Sequence, residues 1–230
     1  KLQKIAFVGD YLPRKCGIAT FTHDLRASIA KASSAECIVV PMDDIPGGYL
    51  YDQEVRFQVV EQEIEDYRAA ADFLNFSNVN IVCLQHEFGI YGGPCGSHVL
   101  ALLQDLRMPI VTTLHTVLSE PSQTQRAVMT QLVRHSTRLV VMTERSRQTL
   151  INTYSVDSDQ VDLIAHGIPN APDTDQQVLK EQFNVKNKAV ALTFGLLSPG
   201  KGIEHVLGAI PEVVARFPDF IYLVLGATHP

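Results

Sequence analysis

Apolar runs of four to six residues alternate along this chain with longer stretches whose apolar positions recur at helical spacing. Lys4-Ile5-Ala6-Phe7-Val8, Cys37-Ile38-Val39-Val40, Val79 to Leu84, Pro109 to Leu114, Leu139 to Met142, Val161 to Ile164, Ala189 to Phe194 and Phe220 to Leu225 read as strands. Val55 to Val59 is a weaker candidate of the same kind. Between them, Ile18, Phe21, Leu25 and Ile29 mark one helical face, Ile64, Tyr67, Ala71 and Leu74 a second, and Val99, Leu102, Leu103 and Leu106 a third. Arg126 to His135, Glu144 to Tyr154 and Ile203 to Ile210 are further helices, and Pro211 is expected to kink or divide the last because it lacks an interior N–H. Strands alternating with helices, without hairpin dipeptides, predict an α/β fold with a parallel sheet covered on both faces.

Ala165 to Asp173 holds two prolines and a glycine and changes the pattern. The expected organisation is a Rossmann-like domain over 1–168, a linker over 169–187, and over 188–230 the truncated start of a second Rossmann-like domain. Its uncovered apolar faces make a homodimer through that unit a candidate partner state. With 230 residues, 46% hydrophobic and 19% charged, the chain has material for a core and no run long enough for a transmembrane segment. A net charge of −6 argues against a general nucleic-acid partner. Cys16, Cys37, Cys83 and Cys95 form neither zinc spacing nor a disulfide framework, so no metal is expected and a cytoplasmic location fits. The start at Lys1 suggests a trimmed amino terminus.

The candidate chemistry lies in loops that follow strands, where helix amino termini offer N–H groups to an anion. Gly9 to Gly17 and Gly195 to Gly202 each place glycines and a lysine between a strand and a helix, and Gln85 to Gly93 reads as a mobile polar loop with His86 and Glu87. Lys201 followed by Gly202 does not complete a P-loop, no G-x-G-x-x-G follows the first strand, and no G-x-S-x-G occurs. A nucleophilic Cys16 would need a cation to lower its pKa.

Four segments, Pro13 to Thr22, Gln85 to Gly93, Thr113-Leu114-His115-Thr116 and Gly195 to Gly202, together with His166-Gly167-Ile168-Pro169, resemble the retaining group 1 (GT4-type) glycosyltransferases of the GT-B fold. The resemblance runs from the first strand to the last residue. It implies transfer of a sugar from a nucleotide-sugar donor to a sugar or glycan acceptor with retention of configuration, no cofactor and no metal. It further implies that His115 and Lys201 are catalytic, that Gly17, Ile18, Gly195 and Lys201 bind the donor, and that His86 and Glu87 face the acceptor. The chain departs from the family pattern at Leu196, where relatives carry a phosphate-binding arginine, and at Ala165, where they carry proline. The family's paired glutamates, eight positions apart, are expected beyond residue 230, so the chain alone is expected to be inactive. A non-catalytic sugar- or nucleotide-binding module, or a nucleotide-sugar epimerase or sugar phosphorylase on the same scaffold, are the alternative readings.

Overall fold

A computed structural model describes residues 2–168, 173–195 and 197–226, so Leu196 and Pro169 lie outside the described residues. The chain divides into two compact units, Lys1–Gly167 and Ile168–Pro230.

In the first unit the elements are β1 (Lys4–Val8), α1 (Gly17–Ala32), β2 (Glu36–Val40), the two-residue strands β3 (Met42–Asp43) and β4 (Val59–Val60), α2 (Ile64–Phe76), β5 (Ile81–His86), α3 (Val99–Asp105), β6 (Ile110–Leu114), α4 (Gln123–His135), β7 (Arg138–Val141), α5 (Glu144–Tyr154) and β8 (Val161–Leu163). Six of these strands form one parallel sheet in the order β2-β1-β5-β6-β7-β8. The chain steps outward from β1 to β2 and then returns to the other side of β1, so the order reverses between β1 and β5. In open parallel sheets a ligand crevice lies beyond the carboxyl ends of the strands at such a reversal.

The pleat sorts side chains by parity. Ala6, Val8, Ile38, Val40, Val82 and Leu84 point into the larger core with Tyr67, Leu74, Leu102 and Leu132. Ile5, Phe7, Cys37 and Val39 point to the opposite face, against Leu25 and Ile29 of α1. Buried on both faces, the central strands need apolar residues at every position, which is why they read as continuous runs.

The expected strand Val55 to Val59 is corrected. Val55 makes only an isolated bridge to Val39, while β4 pairs with β3 in a small separate sheet.

The second unit holds α6 (Gln176–Gln182), β9 (Ala189–Phe194), α7 (Ile203–Arg216) and β10 (Phe220–Leu225). Strands β9 and β10 pair in parallel. Helix α6 carries no clear apolar period and falls within the stretch read as linker; Asp175 caps it by accepting from Gln177 N at 2.8 Å. Helix α7 runs through Pro211 unbroken. The carbonyl that Pro211 leaves without a donor belongs to Leu207, an exposed residue open to water.

Candidate active site at the carboxyl edge of the sheet

The crevice between β1 and β5 is narrow because its two sides touch. Gly9, with φ of +145°, follows β1; a Cβ there would sit 2.9 Å from Gln85 Cβ. Only glycine accepts both that backbone conformation and that approach. Gln85 is fully buried, and its Oε1 lies 3.0 Å from His115 Nε2, just beyond β6. Parity explains the meeting: Gln85 and Cys83 share the α1 face, as do His115 and Thr113. From α1, Phe21 packs edge-on against the rings of His115 at 4.8 Å and His166 at 5.2 Å. The ends of β5, β6 and β8 are thereby joined to the first turns of α1.

Burial, followed by the nearby His166, pushes the pKa of His115 down to about 4. The ring is therefore neutral near pH 7, able to donate from one nitrogen and accept at the other.

His86 behaves differently. Its backbone carbonyl accepts from His115 N at 3.0 Å, but its side chain has the parity of Val82 and Leu84 and turns into the larger core. There it stacks on Tyr91 at 6.1 Å and meets Phe88 edge-on at 5.0 Å. It is fully buried, both ring nitrogens lack a partner among the described residues, and burial, with His115 adding to it, depresses its pKa to about 3. The expected acceptor-side role of the His86 side chain is not matched by its place in the core, because the pleat sends the side chains of Gln85 and His86 to opposite faces. Glu87 is half-buried and accepts from the N–H of Phe88 at 3.0 Å, so it caps its own turn. The loop from Gln85 to Gly93 is packed rather than open. Phe88, Ile90 and Tyr91 are buried, the Tyr91 hydroxyl donates to the Gln85 carbonyl at 2.6 Å, and Gly92 N donates to the Tyr67 hydroxyl at 3.0 Å.

Helix α1 begins at Gly17, which is exposed and whose Cα has open space beside it. Cys16 caps it: Sγ accepts from Ala19 N at 3.2 Å, and the thiol donates to Asp10 Oδ2 at 3.1 Å. Burial and the Asp10 charge push the Cys16 pKa up to about 11, so it is a cap and not a nucleophile. The first turn of α1 carries no acidic residue, so apart from the N–H groups that Cys16 caps, its positive dipole end is suited to an anion beside Gly17.

Sequence reasoning missed the support beneath this loop. Arg14 reaches Asp10 at 2.8 Å, Glu61 at 3.1 Å and Asp44 at 3.3 Å, tying the β1–α1 loop to β3 and β4. Asp10 is fully buried, and burial raises its pKa to about 6 against the pull of Arg14 and the Cys16 thiol. The signal available was a lone Asp following a strand, four residues before an Arg.

In the second unit, Gly195 (φ +109°) and Lys201 come together. The Lys201 ammonium nitrogen lies 3.6 Å from the position a Cβ on Gly195 would take. Lys201 is exposed, on a tight turn at Pro199–Lys201 that opens α7 beside a hollow of 430 Å³ lined by Leu197, Ser198, Pro199, Ile203 and Glu204. Among the described residues no group of three or more His, Cys, Asp or Glu could hold a metal ion, and no helix is long and apolar enough to cross a membrane.

Comparison with protein families finds a match over residues 17–171, from the first residue of α1 to just past β8, to Glycosyltransferase Family 4. The chain belongs to this glycosyltransferase family. A search of curated proteins found no match. Among solved structures, a glycosyltransferase from Rickettsia africae ESF-5 is similar with a TM-score of 0.64 at 12% identity, over 98% of this chain and 69% of that one. An alpha-glucosyltransferase in complex with UDP-glucose and DNA containing an abasic site has a TM-score of 0.58 at 12% identity, over 99% and 68%. The UDP-GlcNAc 2-epimerase of Methanocaldococcus jannaschii has a TM-score of 0.62 at 9% identity, over 99% and 66%. At these identities the likeness establishes the GT-B fold. The chain spans about two thirds of the length of these proteins. The alpha-glucosyltransferase is in complex with DNA, against the expectation of no nucleic-acid partner, and that binding is a property of that protein.

Proposed function

We propose that this family 4 chain contributes the acceptor-side domain, and the opening of the donor-side domain, to an enzyme that transfers a sugar from a nucleotide sugar to a sugar or glycan acceptor with retention of anomeric configuration. In that reaction the anomeric C–O bond to the diphosphate breaks, its electron pair leaves with the phosphate oxygen, and the acceptor hydroxyl oxygen bonds to the same face while its proton passes to the departing diphosphate. Negative charge grows on the leaving group, so catalysis requires groups that meet that charge as it forms.

The family match over residues 17–171 carries the reading, and the geometry of each unit supports it. In the first unit Gly17 and Ile18 open a helix whose amino terminus suits an anion, and in the second unit the exposed Lys201 ammonium beside Gly195 suits a diphosphate. Neutral His115 is the hydrogen-bonding group for the donor sugar. Glu87 is assigned to the acceptor side, with His86 supporting His115 through its backbone carbonyl. We propose that the diphosphate is met by Lys201 and helix N–H groups without a metal ion, and that the protein works in the cytosol.

The UDP-GlcNAc 2-epimerase among the similar folds gives the second reading its observation. One assay separates the two. In a polypeptide extended to the length of the neighbours, a panel of nucleotide sugars with glycan acceptors is expected to yield nucleoside diphosphate and glycosylated acceptor. Conversion of the donor sugar at C2, without an acceptor product, would support epimerisation instead.

A further inference from the structure

We propose that Gln85 is a positioning residue that holds His115 as the Nε2–H tautomer, so that the other ring nitrogen, Nδ1, is presented to a sugar hydroxyl as a hydrogen-bond acceptor. The role of His115 toward a sugar rests on the function proposed above; its tautomer does not.

The geometry has three parts. First, the His115 Nε2 to Gln85 Oε1 contact of 3.0 Å fixes one ring nitrogen, and the other, Nδ1, on a side chain that is only partly buried, has no hydrogen-bond partner among the described residues. In a neutral imidazole the bond made by one nitrogen decides what the other offers. A carbonyl oxygen can only accept, so the ring must donate from Nε2, which is also the position a neutral imidazole prefers to protonate. Second, Gln85 has little freedom. It is fully buried, its Cβ lies against Gly9, where another Cβ would come within 2.9 Å, and its own carbonyl receives the Tyr91 hydroxyl. Third, Gln85 Nε2 is buried with no partner among the described residues. A buried amide with a donor left unpaired is costly in a core and is retained where the other end of the side chain has work to do. Phe21 meets the ring edge-on at 4.8 Å.

The chemical consequence is selectivity. An acceptor at Nδ1 matches a hydroxyl, which can donate, and disfavours a carboxylate at the same position on the sugar, which cannot.

The test is long-range proton–nitrogen NMR on the 230-residue protein labelled at histidine, with the His115 signals assigned by their loss in His115→Asn. At neutral pH, His115 is expected as a single tautomer protonated at Nε2; a ring protonated at Nδ1 overturns the proposal. Gln85→Leu is expected to give a mixture of tautomers, and an unchanged tautomer in a folded Gln85→Leu protein overturns it. Gln85→Glu keeps the acceptor and adds a charge. It is expected to preserve Nε2–H while raising the His115 pKa by about one unit, a tenfold gain in proton affinity. No shift there overturns the proposal even where Gln85→Leu does not fold. None of these readouts requires turnover, so a failed transfer assay and a failed tautomer are separate results.

Discussion

Asp10 and His86 are both fully buried, yet they bind protons in opposite senses. The Asp10 pKa is raised in the folded chain from 3.8 to about 6, so its stabilising contribution is complete below pH 3.8 and is lost as pH rises through 6. Replacing it by Asn removes a group that dislikes its own charge. The stability of Asp10→Asn relative to the native protein, read from urea midpoints, is expected to rise between about pH 4 and 7; a difference that stays flat would contradict the burial of Asp10. His86 runs the other way. Its pKa falls from 6.5 to about 3, so its contribution is present above pH 6.5 and is lost as pH falls toward 3. With both ring nitrogens unpaired among the described residues, between Tyr91 and Phe88, the imidazole is a poor occupant of an apolar site. His86→Phe should be no less stable than the native chain at pH 7 by more than about 1 kcal/mol, and its stability should fall less steeply below about pH 6.5. A loss of several kcal/mol at pH 7 would mean that His86 has a polar partner.

Among the elements, the β1–α1 loop depends on one side chain. Arg14 is mostly buried and its single positive charge is shared by Asp10, Asp44 and Glu61, so Arg14→Met leaves those carboxylates facing one another. Breaking a buried pair by removing one partner costs about 3–5 kcal/mol. That loss is expected in a chemical melt of Arg14→Met. Arg14→Lys should recover only part of it, because an ammonium cannot span three carboxylates as a guanidinium fork does. The strands of the large sheet were legible in the sequence because parallel strands buried on both faces are uninterrupted apolar runs. The two-residue strands β3 and β4 carry no such run, and α6 is held by its Asp175 cap more than by an apolar face. The site was legible as loops and not as partners. The Gly195–Lys201 turn stood out by composition and His115 through the family resemblance, whereas Arg14 with its carboxylates and Gln85 against Gly9 depend on which strands lie side by side. The outward reading of His86 failed on a rule the sequence did contain: Val82, Leu84 and His86 share a face, and the first two are core residues.

For the whole molecule, the fold and the family are established, and the chemistry follows from where charge must develop. Lys201 is exposed and stands over Gly195 at the start of a helix, an arrangement suited to a diphosphate. In the polypeptide extended to the length of its structural neighbours, Lys201→Ala should lower kcat by about a hundredfold, as removal of one charge-stabilising donor does. It should raise KM less, because the charge it meets grows on the way to the transition state. Steady-state kinetics with the preferred donor check this, and an unchanged kcat would move the role to another cation. The most direct test of the central claim is the stereochemistry of the product. Proton NMR of the glycoside formed from an α-configured nucleotide sugar should show an α linkage at the earliest time points. A β linkage, or a donor altered at C2 with no glycoside formed, would contradict retaining transfer.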